Sequence, residues 1–137
     1  SRGAFYAIDT PKMKKFIEPY KKLAKAYPTC WAILSYDCVM AIADAVKKAK
    51  SFDRDAVAKV LESSDFDTLR GKLSFRAIDH QMNSPEYFAT SYFDKEKGFS
   101  LGKDVVVVPG ESLFRSVESV KKAREKAGIQ FVPWTAK

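Results

Sequence analysis

Few residues in this chain of 137 could do chemistry. Asp79 and His80 are adjacent, with Gln81 beside them, and a histidine next to an aspartate is the smallest general-base pairing. Such a base needs a Ser, Thr or Cys nucleophile nearby, and no Gly-x-Ser-x-Gly elbow is present to supply one. A polar turn or crossing segment after a strand accounts for the same residues. His80 is the single histidine, which excludes sites needing two, HExxH zinc centres among them. Cys30 and Cys38 on one helix stand about 12 Å apart along its axis, beyond disulfide reach. They are expected as free, buried thiols, because a zinc pair lacks further ligands. Neither GxxxxGK nor GxGxxG occurs, so no nucleotide-phosphate cradle is supported, and the chain implies no cofactor. Tyr87, Phe88, Tyr92 and Phe93 suit either a strand core or a stacking platform for single-stranded nucleic acid. Trp31 and Tyr36 bracket a helix entry, where aromatics fill a core or line a pocket wall.

Net charge is +7, from 24 Lys plus Arg against 17 Asp plus Glu, enough to raise nucleic acid or acidic membranes as partners. Lysine outnumbers arginine and the charge is spread along the chain. That favours solvated helix faces over base readout, which uses bidentate arginine. A small basic nucleic-acid-binding domain is the alternative reading, and a hydrolase using His80 is a third. Hydrophobic residues make up 46% and charged residues 30%, the balance of one packed domain. Two cysteines make no disulfide scaffold. The longest apolar run, Cys30 to Val46, is broken by Ser35, Asp37 and Asp44 and falls short of the ~20 residues of a membrane span. The start, Ser1-Arg2-Gly3-Ala4-Phe5, has no signal-peptide layout, so a preceding part absent from this chain, or a cytoplasmic protein, is expected.

The elements that must position these residues follow from periodicity. Residues 3–8 predict a short buried strand. Thr10 and Pro11 then start a helix to Tyr27, with Met13, Phe16, Ile17, Tyr20 and Leu23 on one stripe and Pro19 kinking or splitting it. Residues 31–50 predict a second helix, apolar almost all round and so the most buried element. Asp53 caps a third, with Phe52 and Val57 in the two positions of a hydrophobic staple and Ser63-Ser64-Asp65 as its end. After Gly71 the period changes to two, predicting strands near 72–77, 86–93 and 103–108. A last helix is expected over 112–127, with Leu113, Val117 and Val120 inward, followed by an extended tail carrying Trp134. The order is α/β, but three helices in a row are no tidy doubly wound domain, and sheet partners are expected elsewhere.

Three stretches then add up to a resemblance. They are Tyr36-Asp37-Cys38 at the helix entry, Asp55 through Glu62, and the run Phe66-Asp67-Thr68-Leu69-Arg70-Gly71-Lys72-Leu73-Ser74-Phe75-Arg76-Ala77-Ile78-Asp79-His80-Gln81. Across about residues 3–110 the chain resembles the C-terminal part of type I periplasmic solute-binding proteins of ABC transporters. The group is the branched-chain amino acid type, with relatives that bind aromatic and other carboxylates. Cys38 stands where the family usually has a small alanine.

The resemblance implies two α/β lobes joined by three crossings, with the solute in the cleft, and a chain that is a C-terminal fragment. Residues 1–10 would be a crossing strand and 11–77 part of the N-terminal lobe, with three helices and a strand. Residues 78–86 would be the third crossing, 87–110 strands of the C-terminal lobe, and 111–137 a C-terminal helix and tail. Asp79-His80 then becomes hinge rather than catalysis. Trp31 matches a cleft-lining aromatic, and Tyr6 at the crossing and Tyr36 join it as ligand-binding candidates, while the polar anchors of the family lie upstream of this chain. The implied protein is a periplasmic, non-enzymatic receptor with a small organic solute and ABC permease subunits as partners, and no nucleic acid. Dimerisation or domain swapping is expected of a fragment.

Overall fold

Thr10 sits extended ahead of Pro11 and its hydroxyl accepts the Met13 N–H at 3.0 Å, which starts α1 (Pro11–Ala24). The computed structural model describes residue 1 and residues 3–129. The expected tail with Trp134 falls mostly on 130–137 and so lies outside the described residues. Helix α1 runs unbroken through Pro19 and ends early, because Lys25 takes the left-handed conformation (φ 55°) and caps it before Tyr27. Thr29 caps α2 (Cys30–Ala49) by accepting the Ala32 N–H at 3.2 Å. Asp53 caps α3 (Arg54–Ser63), one carboxylate oxygen accepting from the Asp55 and Ala56 N–H groups. Phe52 makes no staple: it is 93% exposed.

Two antiparallel sheets follow. In the first, β1 (Asp65–Thr68), β2 (Gly71–Arg76) and β3 (Gln81–Met82) lie in that order, with Phe66 opposite Leu73 and Thr68 opposite Gly71. Gly71, at φ 107°, makes the tight return between β1 and β2 that a side chain would strain. In the second sheet β4 (Glu86–Asp94) pairs with β5 (Phe99–Val108), with a register shift between Phe88 and Thr90. A 3-10 turn (Gly110–Leu113) and α4 (Val117–Lys126) close the described chain.

One cluster joins Ile8, Met13, Ile33, Leu69 and Tyr87, so it draws on the N-terminal segment, α1, α2, the β1–β2 turn and β4. A second packs Ala41, Ala45 and Phe66 against Val57, Val60, Leu61 and Phe75 of α3 and β2. Between them Asp37 is buried. One of its oxygens accepts the Leu69 N–H at 2.7 Å and the other the Arg70 Nε–H at 2.8 Å. Arg70, also buried, reaches on to the Ser84 hydroxyl and the Met82 sulfur.

Several expectations change. Residues 3–8 form no strand: they hold a turn over residues 5–7, with the Ala7 N–H bonded to the Ala4 carbonyl, and among the described residues of this segment it is Ser1 that pairs with β4, through Tyr87. Strand β1 starts where only the end of α3 was expected, so residues 11–77 hold three helices and two strands. Helix α2 is buried on one face alone, at Ile33, Asp37, Ala41 and Ala45. Cys30 and Cys38 are free, but half-buried and exposed respectively rather than interior. On β4 only Tyr87 is buried, whereas Phe88, Tyr92 and Phe93 are exposed. The last helix begins at Val117, because Ser116 caps it through the Ser119 N–H, and this leaves Leu113 and Val117 outside and only Val120 buried.

Removing Asp37 leaves the Arg70 guanidinium buried and unpaired. Asp37→Ala should therefore cost about 3–5 kcal/mol, and Asp37→Asn, which keeps an acceptor for Leu69, should cost less. Urea unfolding followed by circular dichroism reads both, and equal, near-zero costs would contradict the pairing.

Candidate functional site

An aromatic cleft of about 430 Å³ opens between the N-terminal segment, the α1–α2 loop and the start of β5. Phe5 stacks on Tyr27 with ring centres 5.0 Å apart, and Phe99 meets Tyr27 edge-on at 5.5 Å. Tyr6, perpendicular to Phe5, forms another wall. Gly102 lets Tyr6 lie across the hairpin, since an added Cβ would come within 2.5 Å of the Ala89 Cβ and 3.0 Å of the Tyr6 ring. Pro28 and Cys30 complete the α2 side. Lys21 holds its ammonium 4.7 Å from the Tyr27 ring centre. Its hydrogen bond to Glu18 is the main reason it stays protonated above the ordinary lysine range, with Tyr27 adding a smaller effect. Apolar walls with a polar rim of this kind can hold a small organic molecule by its hydrocarbon part.

The three residues expected at the site do not converge. Tyr6 lines the cleft. Trp31, one residue past Cys30, is 77% exposed and stands outside the lining set. Tyr36 lies about 140° further round α2 at ~100° per residue, and packs its ring 4.8 Å from Phe16 on α1. Phe5, Tyr27 and Phe99 were missed as site residues. Tyr27-Pro28 reads only as a helix end, and Phe99 comes near it only through the β4–β5 register.

The Asp79-His80 pair is split between different partners. Arg76 donates from Nε to Asp79 Oδ1 at 2.9 Å, and a second guanidinium nitrogen contacts Oδ2. His80, at φ 56°, turns away and sets Nε2 2.6 Å from Glu62 Oε1. These side chains pin the β2–β3 turn to its own strand and to α3. The Arg76 hydrogen bond holds the Asp79 carboxyl below the usual carboxylate range, against a smaller opposing effect of burial. Burial pushes the Tyr87 phenol up.

The described residues thus combine four helices with two antiparallel sheets, and an apolar cleft opens beside the α1–α2 loop. The sequence profile described as periplasmic binding protein matches residues 1–97, and the chain belongs to this family. An ABC-type branched-chain amino acid transporter structure from Rhodopseudomonas palustris superposes at TM-score 0.71 with 26% identity, covering 78% of this chain and 29% of that one. A periplasmic binding protein from Burkholderia mallei gives 0.68 with 20% identity, over 80% and 30%. A leucine binding protein from Thermotoga maritima gives 0.62 with 23% identity, over 77% and 29%. The chain thus spans under a third of the length of these solved relatives. No curated protein matches it. The expected α/β fold and family are those found.

A carboxyl with a lowered folded pKa stabilises the fold above its unfolded value, near 3.9, and that contribution is lost as pH falls through the folded value. Asp79→Asn should lower stability at pH 7 by roughly 0.2–1 kcal/mol and flatten the fall in melting temperature below about pH 4. Thermal melts from about pH 2 to 7 check this, and an unchanged acid limb would count against the Arg76 pairing.

Proposed function

We propose that the chain is the C-terminal part of an extracytoplasmic solute receptor of an ABC transporter, working in the periplasm where its family resides. The aromatic cleft at the α1–α2 loop carries this reading: it is a pre-formed wall for the apolar part of an amino acid or related organic carboxylate. In that receptor residues 1–10 and 78–86 are crossings between lobes, 11–77 belong to one lobe and 87–110 to the other. Residues 111–137 carry the C-terminal helix and tail. Solute would draw the lobes together by hinge closure, and the closed form would dock on the permease. The third crossing is anchored for such a role by Arg70 on Ser84 and by paired bonds between Ser74 and Asn83.

Binding without turnover suits the engaged state of Asp79 and His80, and the solved relatives are binding proteins of transporters. His80→Ala should therefore abolish no reaction. Lys12, Lys14 and Lys21 on α1 pair with Asp67, Asp9 and Glu18, which supports a solvated face rather than a phosphate-binding stripe. A salt titration with single-stranded DNA discriminates: steep weakening of a real affinity would favour the nucleic-acid reading.

On the outward face of α2, Trp31, Ser35, Cys38, Val39 and Ile42 are all exposed, at helical spacing. The rest of the receptor would cover this stripe, with Trp31 at the edge of the cleft. In the whole receptor Trp31→Ala should weaken solute binding about thirtyfold, equivalent to about 2 kcal/mol, while leaving the fold intact. Calorimetry with a panel of amino acids and aromatic carboxylates measures it, and unchanged affinity removes Trp31 from the site. The 137-residue chain alone should bind these solutes poorly and self-associate in sedimentation. Replacing Val39 and Ile42 by serine should shift it toward monomer.

A further inference from the structure

Glu62, on the last turn of α3, has a side chain only 3% exposed. Its Oε1 is taken by His80 Nε2 at 2.6 Å, whereas Oε2 is buried and has no hydrogen-bond partner. A buried carboxylate oxygen without a donor is costly, more so than an unpaired neutral group. Beside it is a pocket of about 180 Å³ lined by Ala58, Leu61, Phe75, Glu62 and His80. Three of these five lining residues are hydrocarbon, and no lining residue is shared with the aromatic cleft.

The chemistry of the pocket narrows its guest. A carboxylate oxygen attracts a charged donor more strongly than a neutral one. Calcium and magnesium need about six oxygen ligands, and among the described residues no group of three or more His, Cys, Asp or Glu could hold a metal ion. A guanidinium binds best through both carboxylate oxygens, and His80 already holds one. An ammonium can dock on one carboxylate oxygen and leave its other N–H donors to water, and an aromatic wall such as Phe75 also favours a cation. The space equals about six waters at ~30 Å³ each, which suits a short alkyl stem. We propose that the pocket between α3 and the β2–β3 turn binds a small primary alkylamine, its ammonium on Glu62 Oε2 and its stem between Ala58, Leu61 and Phe75.

The chain has one histidine, so the His80 ring resonances report on this pocket without ambiguity. Titrating the 137-residue chain with n-butylamine at neutral pH should give a saturable His80 shift in the millimolar range. The uncharged 1-butanol should act at least tenfold more weakly. Glu62→Gln should weaken n-butylamine by at least tenfold. Ala58→Leu, which fills the space and leaves the carboxylate in place, should abolish the shift, with thermal melts confirming that each variant is folded. Should Glu62→Gln fail to fold, Ala58→Leu decides alone. No saturable shift, equal response to the alcohol, or undiminished binding in folded Ala58→Leu would each overturn the proposal.

Discussion

The buried ion pair between Asp37 and Arg70 sets the frame in which the other elements sit. Both side chains are almost wholly out of water, so each carries a desolvation cost that only complete hydrogen bonding offsets. Asp37 meets that demand with the Leu69 N–H on one oxygen and the Arg70 guanidinium on the other. Arg70 also donates to the Ser84 hydroxyl and the Met82 sulfur. One charge pair therefore ties the middle of α2 to the β1–β2 turn and to the segment entering β4. A shift of α2 by one residue would break both Asp37 bonds, so the pair fixes the rotation of the helix as well as its position.

That rotation decides what α2 shows to the outside. With Asp37, Ile33, Ala41 and Ala45 turned inward, the stripe of Trp31, Val39 and Ile42 must face outward. A helix apolar on both faces is stable only when both are covered, and the solved relatives are more than three times the length that matches here. The same pressure shows on β4 and β5, where Phe88, Phe93, Val106 and Val107 are exposed on a sheet of two strands.

The β2–β3 turn shows how partners, rather than residue types, assign a role. Asp79 and His80 are neighbours in the chain, yet Arg76 and Glu62 draw them apart. The left-handed backbone at His80 sends the ring toward α3, where it meets a carboxylate that no local pattern connects with it. The aromatic cleft is assembled in the same way: Tyr27 and Phe99, 72 positions apart, bring their rings together only after β5 folds back on the α1–α2 loop.

Local chemistry alone determined the helix starts at Thr10 and Asp53, the strand after Gly71, and the motif run from Phe66 to Gln81 that carries the family resemblance. Each depends on residues within a few positions of one another: a capping oxygen and its amide, an alternating face, a glycine at positive φ. The turn within residues 3–8 escaped that reading because a strand exists only with a partner, and periodicity does not say whether one is present. Phe52 took a staple position and found nothing to pack against, for the same reason. Which face of α2 is buried, which aromatics line the cleft, and where His80 points were left to tertiary structure. These depend on Asp37 finding Arg70 and on Tyr27 meeting Phe99, contacts between distant residues whose free energy comes from removing particular groups from water together.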